Sequence, residues 1–488
     1  MNAVFMLRRV RAFFVSLDER LSRMRFALGA VLAALLAGGF ALMSVAAGPI
    51  YNLNDIGGFD NRKVFIVLAA GVYLALLLLT AALHRGNIYR MALRELIVSA
   101  GFLILLTGIN QKTYYFTQNT QPLLLAMDGA GLSAMSGHTA HFTAPLATAL
   151  YLITRGPVYA MYMVKLACIA SFMALCIMAT AAADRDAFGL RAEALLALCV
   201  ILPSGFMSAA CTALPDVIGL ALLAASLMLA LHKKNCPVMK WVSSVLYGFA
   251  LACGGLSLYA LPVYIWLVVK KRMTLRQLLV SLALAPAACL PAILCGVPAG
   301  EALYSLIAAH VALPQYAAGA PNFMSLIPRA LVEEMPAMFQ LQRLAQIDAV
   351  TNAQPYYTQA HFEQAALGFA LCAPAVYVGV AALIAGNRNL TKTTRIFALV
   401  LSALLVCPGV TNGAWIAAGV LALYAIMKER ALRLPACMVL FAISGAAAYP
   451  MLEETLLPMV LAFLLCLCAL LMMLGVIPAA LSKPERDQ

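Results

Sequence analysis

Few residues in this chain can do chemistry, and they sit between long apolar runs. Asp216 follows Pro215 and opens an apolar run to Leu231, after which come His232, Lys233 and Lys234. A charge at the centre of a membrane helix costs about 2.5–3.5 kcal/mol, and less toward its ends. Asp216 therefore has two readings. It caps the helix that it opens, where the dipole favours an anion, or it belongs to a polar site at that helix's outer mouth. Lys165 lies inside another apolar run. Its amine is expected to snorkel, with a lipid phosphate as the alternative contact. Arg329, Glu333, Glu334 and Arg343 fall on one stretch, about 325–350. Arg329 and Glu333 are four apart and suit an ion pair on a solvated helix face. His138 and His141 can share a helix face, but a metal needs a third ligand and the sequence names none. The thirteen cysteines lie almost all in apolar runs, without CxxC spacing, and read as small apolar fillers.

The elements that carry these residues follow from composition. The chain is 64% hydrophobic and 11% charged, with a mean hydropathy of +0.92. Soluble domains carry about 25% charged residues. The fold class is therefore an all-α polytopic membrane protein. The net charge of +13 is scattered between apolar runs. It reads as membrane topology, and a nucleic-acid partner is excluded.

Residues 1–25 form a cytoplasmic, interfacial amphipathic helix. Val10, Phe13, Phe14, Leu17 and Leu21 share one face, and Arg8, Arg9, Arg20 and Arg23 decorate the rest. Residues 26–488 form a single transmembrane domain of about fourteen spans. Three segments are too polar or broken to span: 49–63, 110–155 and 296–363. The first is a loop from Pro49 to Lys63. The second holds Asp128 in Met-Asp-Gly-Ala-Gly. The third holds an interfacial apolar stretch, 303–313, then Ala-Pro-Asn322-Phe-Met-Ser-Leu and a helix over about 325–350.

With both termini inside, all 33 Lys and Arg fall on the cytoplasmic side except Arg62, Lys63, Lys112, Arg155, Lys165, Arg329 and Arg343. Asp55, Asp60, Asp128, Asp216, Glu301, Glu333 and Glu334 fall outside. Lys and Arg are retained on the cytoplasmic side, so the three polar segments face outward and make the presumed active-site face. The span centres are nearly free of charge. That layout suits an enzyme at the outer surface acting on a lipid-linked substrate.

The frame resembles the integral-membrane GT-C glycosyltransferases, in particular bacterial mannosyltransferase-related proteins akin to the second mannosyltransferase of GPI-anchor synthesis. Where that family has Trp-Gly-Gln-x-Asp-Ser, this chain has Ala-Leu-Pro-Asp216-Val-Ile-Gly. Where it has Lys-Gln and a later Pro, this chain has Gly255-Leu-Ser-Leu-Tyr-Ala-Leu-Pro262. The Asn-rich outer element is similar to Ala-Pro-Asn322-Phe-Met-Ser-Leu. A His-Glu-Arg motif aligns with Gly409-Val-Thr-Asn412-Gly-Ala-Trp415 and is absent. Of the first motif only Asp216 is retained.

The resemblance implies a GT-C-like bundle in a bacterial inner membrane. It implies an inverting hexosyl or mannosyl transfer from a polyprenyl-phosphate sugar to a glycan, lipid or protein acceptor. Such an enzyme serves cell-envelope glycan or glycolipid synthesis. In such enzymes a carboxylate of the first outer loop is the general base. Asp60 is favoured over Asp55, because Arg62 and Lys63 flank it and can meet the donor phosphate. Arg329 is a further phosphate candidate. Asp128, Asp216, Asn322 and Glu333 complete the expected substrate-binding set. The polyprenyl-phosphate sugar is the donor substrate, no cofactor is certain, and a divalent metal stays open without support from a named ligand set.

Two other readings compete. One is a transporter or flippase of a lipid-linked saccharide. The other is a non-catalytic GT-C relative, which the missing motif residues favour. All three share the topology. Tags after Lys234 and Arg388 are predicted to be cytoplasmic, and a tag near Ala353 outside. A cytoplasmic signal at Ala353, read by membrane-impermeant labelling, removes the outer placement of the site.

Overall fold

The computed structural model describes residues 3–46, 59–107, 109, 131–132, 143–154, 157–183, 192–201, 216–232, 236–311, 321–323, 343–344, 356–357, 359–387, 389–407, 412–448 and 457–476. Over these the chain is helical, apart from a two-residue antiparallel ladder pairing Arg343 with Tyr357 and Leu344 with Tyr356. That ladder corrects the expectation of one helix over 325–350. Pro336 inside that stretch removes a helical donor, and the two tyrosines favour extended pairing locally.

Helix α1 (Ala3–Leu21) passes through one 3-10 turn into α2 (Arg25–Ala46). Then come α3 (Phe59–Leu83), α4 (Ile88–Thr107), α5 (Ala144–Thr154), α6 (Pro157–Ala183) and α7 (Ala192–Ile201). The next group is α8 (Asp216–Ala230), α9 (Pro237–Cys253), a 3-10 segment Gly255–Ala260, α10 (Leu261–Val269), α11 (Leu275–Ala287), α12 (Leu290–Leu294) and α13 (Ala299–Val311). The last is α14 (Gln359–Gly386), α15 (Lys392–Val406), α16 (Asn412–Lys428), α17 (Arg433–Ala448) and α18 (Leu457–Met473). Four stretches are long and apolar enough to cross a membrane: Arg11–Val45, Lys63–Leu83, Tyr162–Ala183 and Leu275–Leu294. Other apolar helices among the described residues are shorter.

Local signals set several boundaries. Thr274 and Gln277 form a reciprocal capping box that starts α11. Thr391 caps α15 by accepting the Thr394 N–H. Prolines stand in the first turn of α9, α10 and α12, where no intrahelical donor is lost. Helix α10 ends with Lys271 at φ 54°, and the N–H groups of Arg272 and Met273 return to the Leu267 carbonyl.

Helix α1 is docked on the start of α4. Asp18 accepts the Ile88 N–H at 2.9 Å, and the Tyr89 hydroxyl donates to the Phe14 carbonyl at 3.1 Å. One apolar core joins α2, α3, α4, α6, α7 and α8, and a second joins α14 to α18. Helix α16 belongs to both. Ile416, Val420, Leu423 and Met427 face the first core, while Trp415, Ala418, Ala422 and Ala425 face the second. Those two sets are the two apolar stripes of a helix buried on both sides.

Helices α8, α9 and α11 approach closely through small residues. A Cβ placed on Gly248 of α9 meets the Leu284 side chain at 2.7 Å and the Ser281 carbonyl at 2.9 Å. The backbone contact leaves no flexible neighbour to yield. Gly248→Ala is therefore expected to destabilise by about 1–3 kcal/mol, as overpacking does. Gly38→Ala, with open space around its Cβ position, is expected to be neutral or slightly stabilising. Thermal unfolding of the two purified variants checks this.

Candidate functional site

Helix α4 has a polar cluster near each end, and the sequence pointed only to the one beyond its C-terminus. There the Lys165 side chain, on α6, is fully buried. Its Nζ donates to the Ile109 carbonyl at 2.5 Å, just past the last residue of α4. The final carbonyls of a helix lack intrahelical donors and carry the negative end of the dipole. An ammonium fits there. The expected snorkelling is thus overturned: a buried cation needs an oxygen partner, and the end of α4 supplies one inside the bundle.

Asp216 is the first residue of α8 and is partly buried. Its Oδ1 lies 3.1 Å from the point where a Cβ on Gly254 would sit. The carboxylate therefore rests against the end of α9, where Gly254 leaves room for it. Cys168, one turn beyond Lys165 on α6, is within electrostatic range of both the Asp216 carboxylate and the Lys165 ammonium. Opposite charges from α6 and α8 thus occupy one neighbourhood.

Other elements are tied to the same end. The Thr143 hydroxyl, just before α5, donates to the Ala252 carbonyl of α9 at 2.5 Å. The Ser305 hydroxyl of α13 accepts the Ala144 N–H at 2.8 Å. The Tyr247 hydroxyl donates to the Ser257 carbonyl at 3.2 Å. Segments 110–155 and 296–363 therefore emerge beside Lys165 and Asp216, because Ile109, Ala144 and Ser305 anchor them there.

Asn322 is fully buried, and its Nδ2 donates to the Leu404 and Cys407 carbonyls at 2.7 and 2.8 Å. It closes the C-terminus of α15 from the third polar segment. The next residue, Phe323, lines a cleft of about 360 Å³ with Cys372, Val376, Leu405, Phe463 and Leu467. That cleft is apolar and lies between α14, α15 and α18.

The first outer segment is shorter than the sequence suggested. Helix α3 begins at Phe59, so Asp60 and Arg62 sit in its first turn instead of in a loop. An acid there suits the helix dipole. The side chains of Asp60 and Arg62 lie outside the described residues, and Lys63 is exposed. Asp55, Asp128, Arg329 and Glu333 also lie outside them, as do His138 and His141. Among the described residues no three His, Cys, Asp or Glu side chains gather as a metal site.

The second cluster, near the start of α4, was missed. Arg94 and Glu193 are buried and ion-paired at 3.4 Å, with Arg90 at 3.8 Å from the same carboxylate oxygen. Glu95 beside them is fully buried. Its sequence signal was an Arg-Glu pair immediately before an apolar run, with a lone Glu193 opening another.

No family model, curated protein or solved structure matches this chain. The geometry alone bears on function.

Lys165→Met leaves the Ile109 carbonyl without this donor and is expected to cost about 1–3 kcal/mol. Asp216→Asn loses mainly a helix-end charge and is expected to cost about 0.3–1 kcal/mol. If the two charges act on one another, the double variant departs from additivity by at least about 0.5 kcal/mol. Denaturation of the four proteins decides, and strict additivity shows two independent helix-end charges.

Proposed function

We propose that this protein is an inverting glycosyltransferase that takes a sugar from a polyprenyl-phosphate donor at the outer face of the membrane. The observation that carries this reading is the meeting of Lys165, Asp216 and the roots of two long polar segments at one end of the bundle. The apolar cleft beside Phe323 supports it, since a prenyl chain needs such a groove. In this reading the crossings are α2, α3, α4, α6 to α10, α11 with α12, and α14 to α18, fourteen in all. Both termini are then cytoplasmic.

The chemistry follows from the donor. The acceptor oxygen attacks the anomeric carbon, the bond to the phosphate oxygen breaks, and polyprenyl phosphate leaves. The acceptor proton goes to a carboxylate, here Asp60, within hydrogen-bond reach. Arg62, Lys63 and Arg329 neutralise the leaving phosphate. Asp128, Asp216 and Glu333 orient sugar or acceptor. Asn322 acts through the segment it ties to α15. Lys165, fully buried, sets the local field without touching substrate.

A second reading, a transporter or flippase of a lipid-linked saccharide, is favoured by the ionisable cluster of Arg94, Glu95 and Glu193, since buried charges in such bundles mark ion pathways.

The full-length protein with a panel of polyprenyl-phosphate sugars separates the two. Asp60→Asn is expected to lower transfer by about 10²–10⁴-fold while the protein stays folded, because Asn keeps the size but cannot take the proton. Asp55→Asn and Asp216→Asn are expected to be milder. Robust wild-type transfer that Asp60→Asn leaves intact rejects the base assignment. Translocation of the labelled lipid in proteoliposomes, with no transfer, favours the transporter.

A further inference from the structure

The carboxylate of Glu95 makes no hydrogen bond or ion pair among the described residues. Glu95 lies on α4 just before the apolar run 96–109 and is fully buried. Neither of its carboxyl oxygens has a hydrogen-bond partner among the described residues. Its Oε1 lies 3.0 Å from where a Cβ on Gly29 of α2 would sit, beside the Met91 sulfur and the Ala81 methyl. The carboxyl thus occupies a gap that only a glycine leaves.

Among the described residues, no charged or titratable neighbour is hydrogen-bonded or ion-paired to it. On α4 itself, Arg94 and Arg90 turn to Glu193 of α7. On α3, Tyr73 is close enough to feel the Glu95 charge and bonds Ser99, while His84, one turn beyond Ala81, has its Nε2 bonded to the Asn87 carbonyl. On α2, Arg25 stands one turn before Gly29, and no ion pair joins it to Glu95 among the described residues. On α6, Cys176 packs with Cys199 of α7. Asp18 of α1 holds the Ile88 N–H.

An ionised carboxylate buried without a partner is costly, and such a group takes up a proton instead. Glu95 is the eighth residue of α4, too deep for the helix dipole to offset that cost. Among the described residues no three His, Cys, Asp or Glu side chains gather there as a metal site. We propose that Glu95 is a proton-binding site within the helical body, neutral in one state and ionised in the other, at the opposite end of α4 from Lys165. This is independent of the glycosyltransferase reading.

The sign of the pH effect is fixed. A carboxyl raised in the folded state costs no stability below its unfolded value, costs progressively more as pH rises from there to the folded value, and costs a constant amount above it. Glu95→Gln mimics the protonated acid. Its thermal midpoint is therefore expected to match the wild type at pH 5 and to exceed it at pH 8. Infrared spectroscopy of the full-length protein gives the direct readout: a protonated-carboxyl band that fades as pH is raised and is missing from Glu95→Gln. A spectrum with no band that Glu95→Gln removes overturns the proposal, as does a midpoint difference that does not change with pH. If Glu95→Gln fails to fold while Glu95→Asp folds, the ionised form is the required one, and the proposal fails.

Discussion

A chain this apolar can place its backbone away from water only if every N–H and C=O finds a partner within the chain. That single requirement selects helices. It also explains where the hydroxyls go. Thr80, Ser99 and Thr148 are buried, and each donates to the carbonyl four residues back in its own helix. Such back-bonding satisfies the hydroxyl without another helix. Where a hydroxyl is bonded between helices, it marks a close approach. Ser226, Ser243 and Tyr264 join α8, α9 and α10 in this way, next to the stacked rings of Tyr247 and Tyr264.

The same requirement falls hardest on helix ends, and α4 shows how it is met. Its first N–H goes to Asp18 of α1, seventy residues earlier in the chain. The carbonyl just past its last residue goes to Lys165 of α6. An anion at the N-terminus and a cation at the C-terminus are the signs that the dipole favours. The charges thus bring α1 and α6 against opposite ends of one helix. Asn322 does the equivalent for α15 with an uncharged amide.

The sequence reveals the helices because their cause is local: apolar runs long enough to span, broken by Lys, Arg, Gly and Pro. It reveals Asp216 as a helix opener for the same reason. It does not reveal the destiny of Lys165, since snorkelling and inward capping need the same residue at the same depth. The difference lies in whether another helix ends within reach of the amine. Nor does it reveal the ladder at Arg343, where Arg343 and Leu344 pair with tyrosines fourteen and twelve residues away. Glu95 and Glu193 escape because positive-inside counting weighs Lys and Arg and is nearly blind to acids. The Arg94–Glu193 pairing exists only once α7 packs on α4.

Charge commitment is what separates structure from chemistry here. Lys165 and Arg94 are buried, and each is engaged by an oxygen from another element. Removing either leaves a buried partner behind, so their loss acts first on stability. Asp216 is different, because part of it remains accessible where the long polar segments emerge. Glu95 differs again, because its burial is complete and its oxygens have no partner among the described residues. A helix end that needed an acid would have drawn it to the first turn, as Asp18 is drawn to Ile88. Seven residues inside α4, facing a glycine, a carboxyl adds nothing to the fold that an apolar side chain would not supply better. Its presence is therefore an argument for a role in which gaining and losing a proton matters.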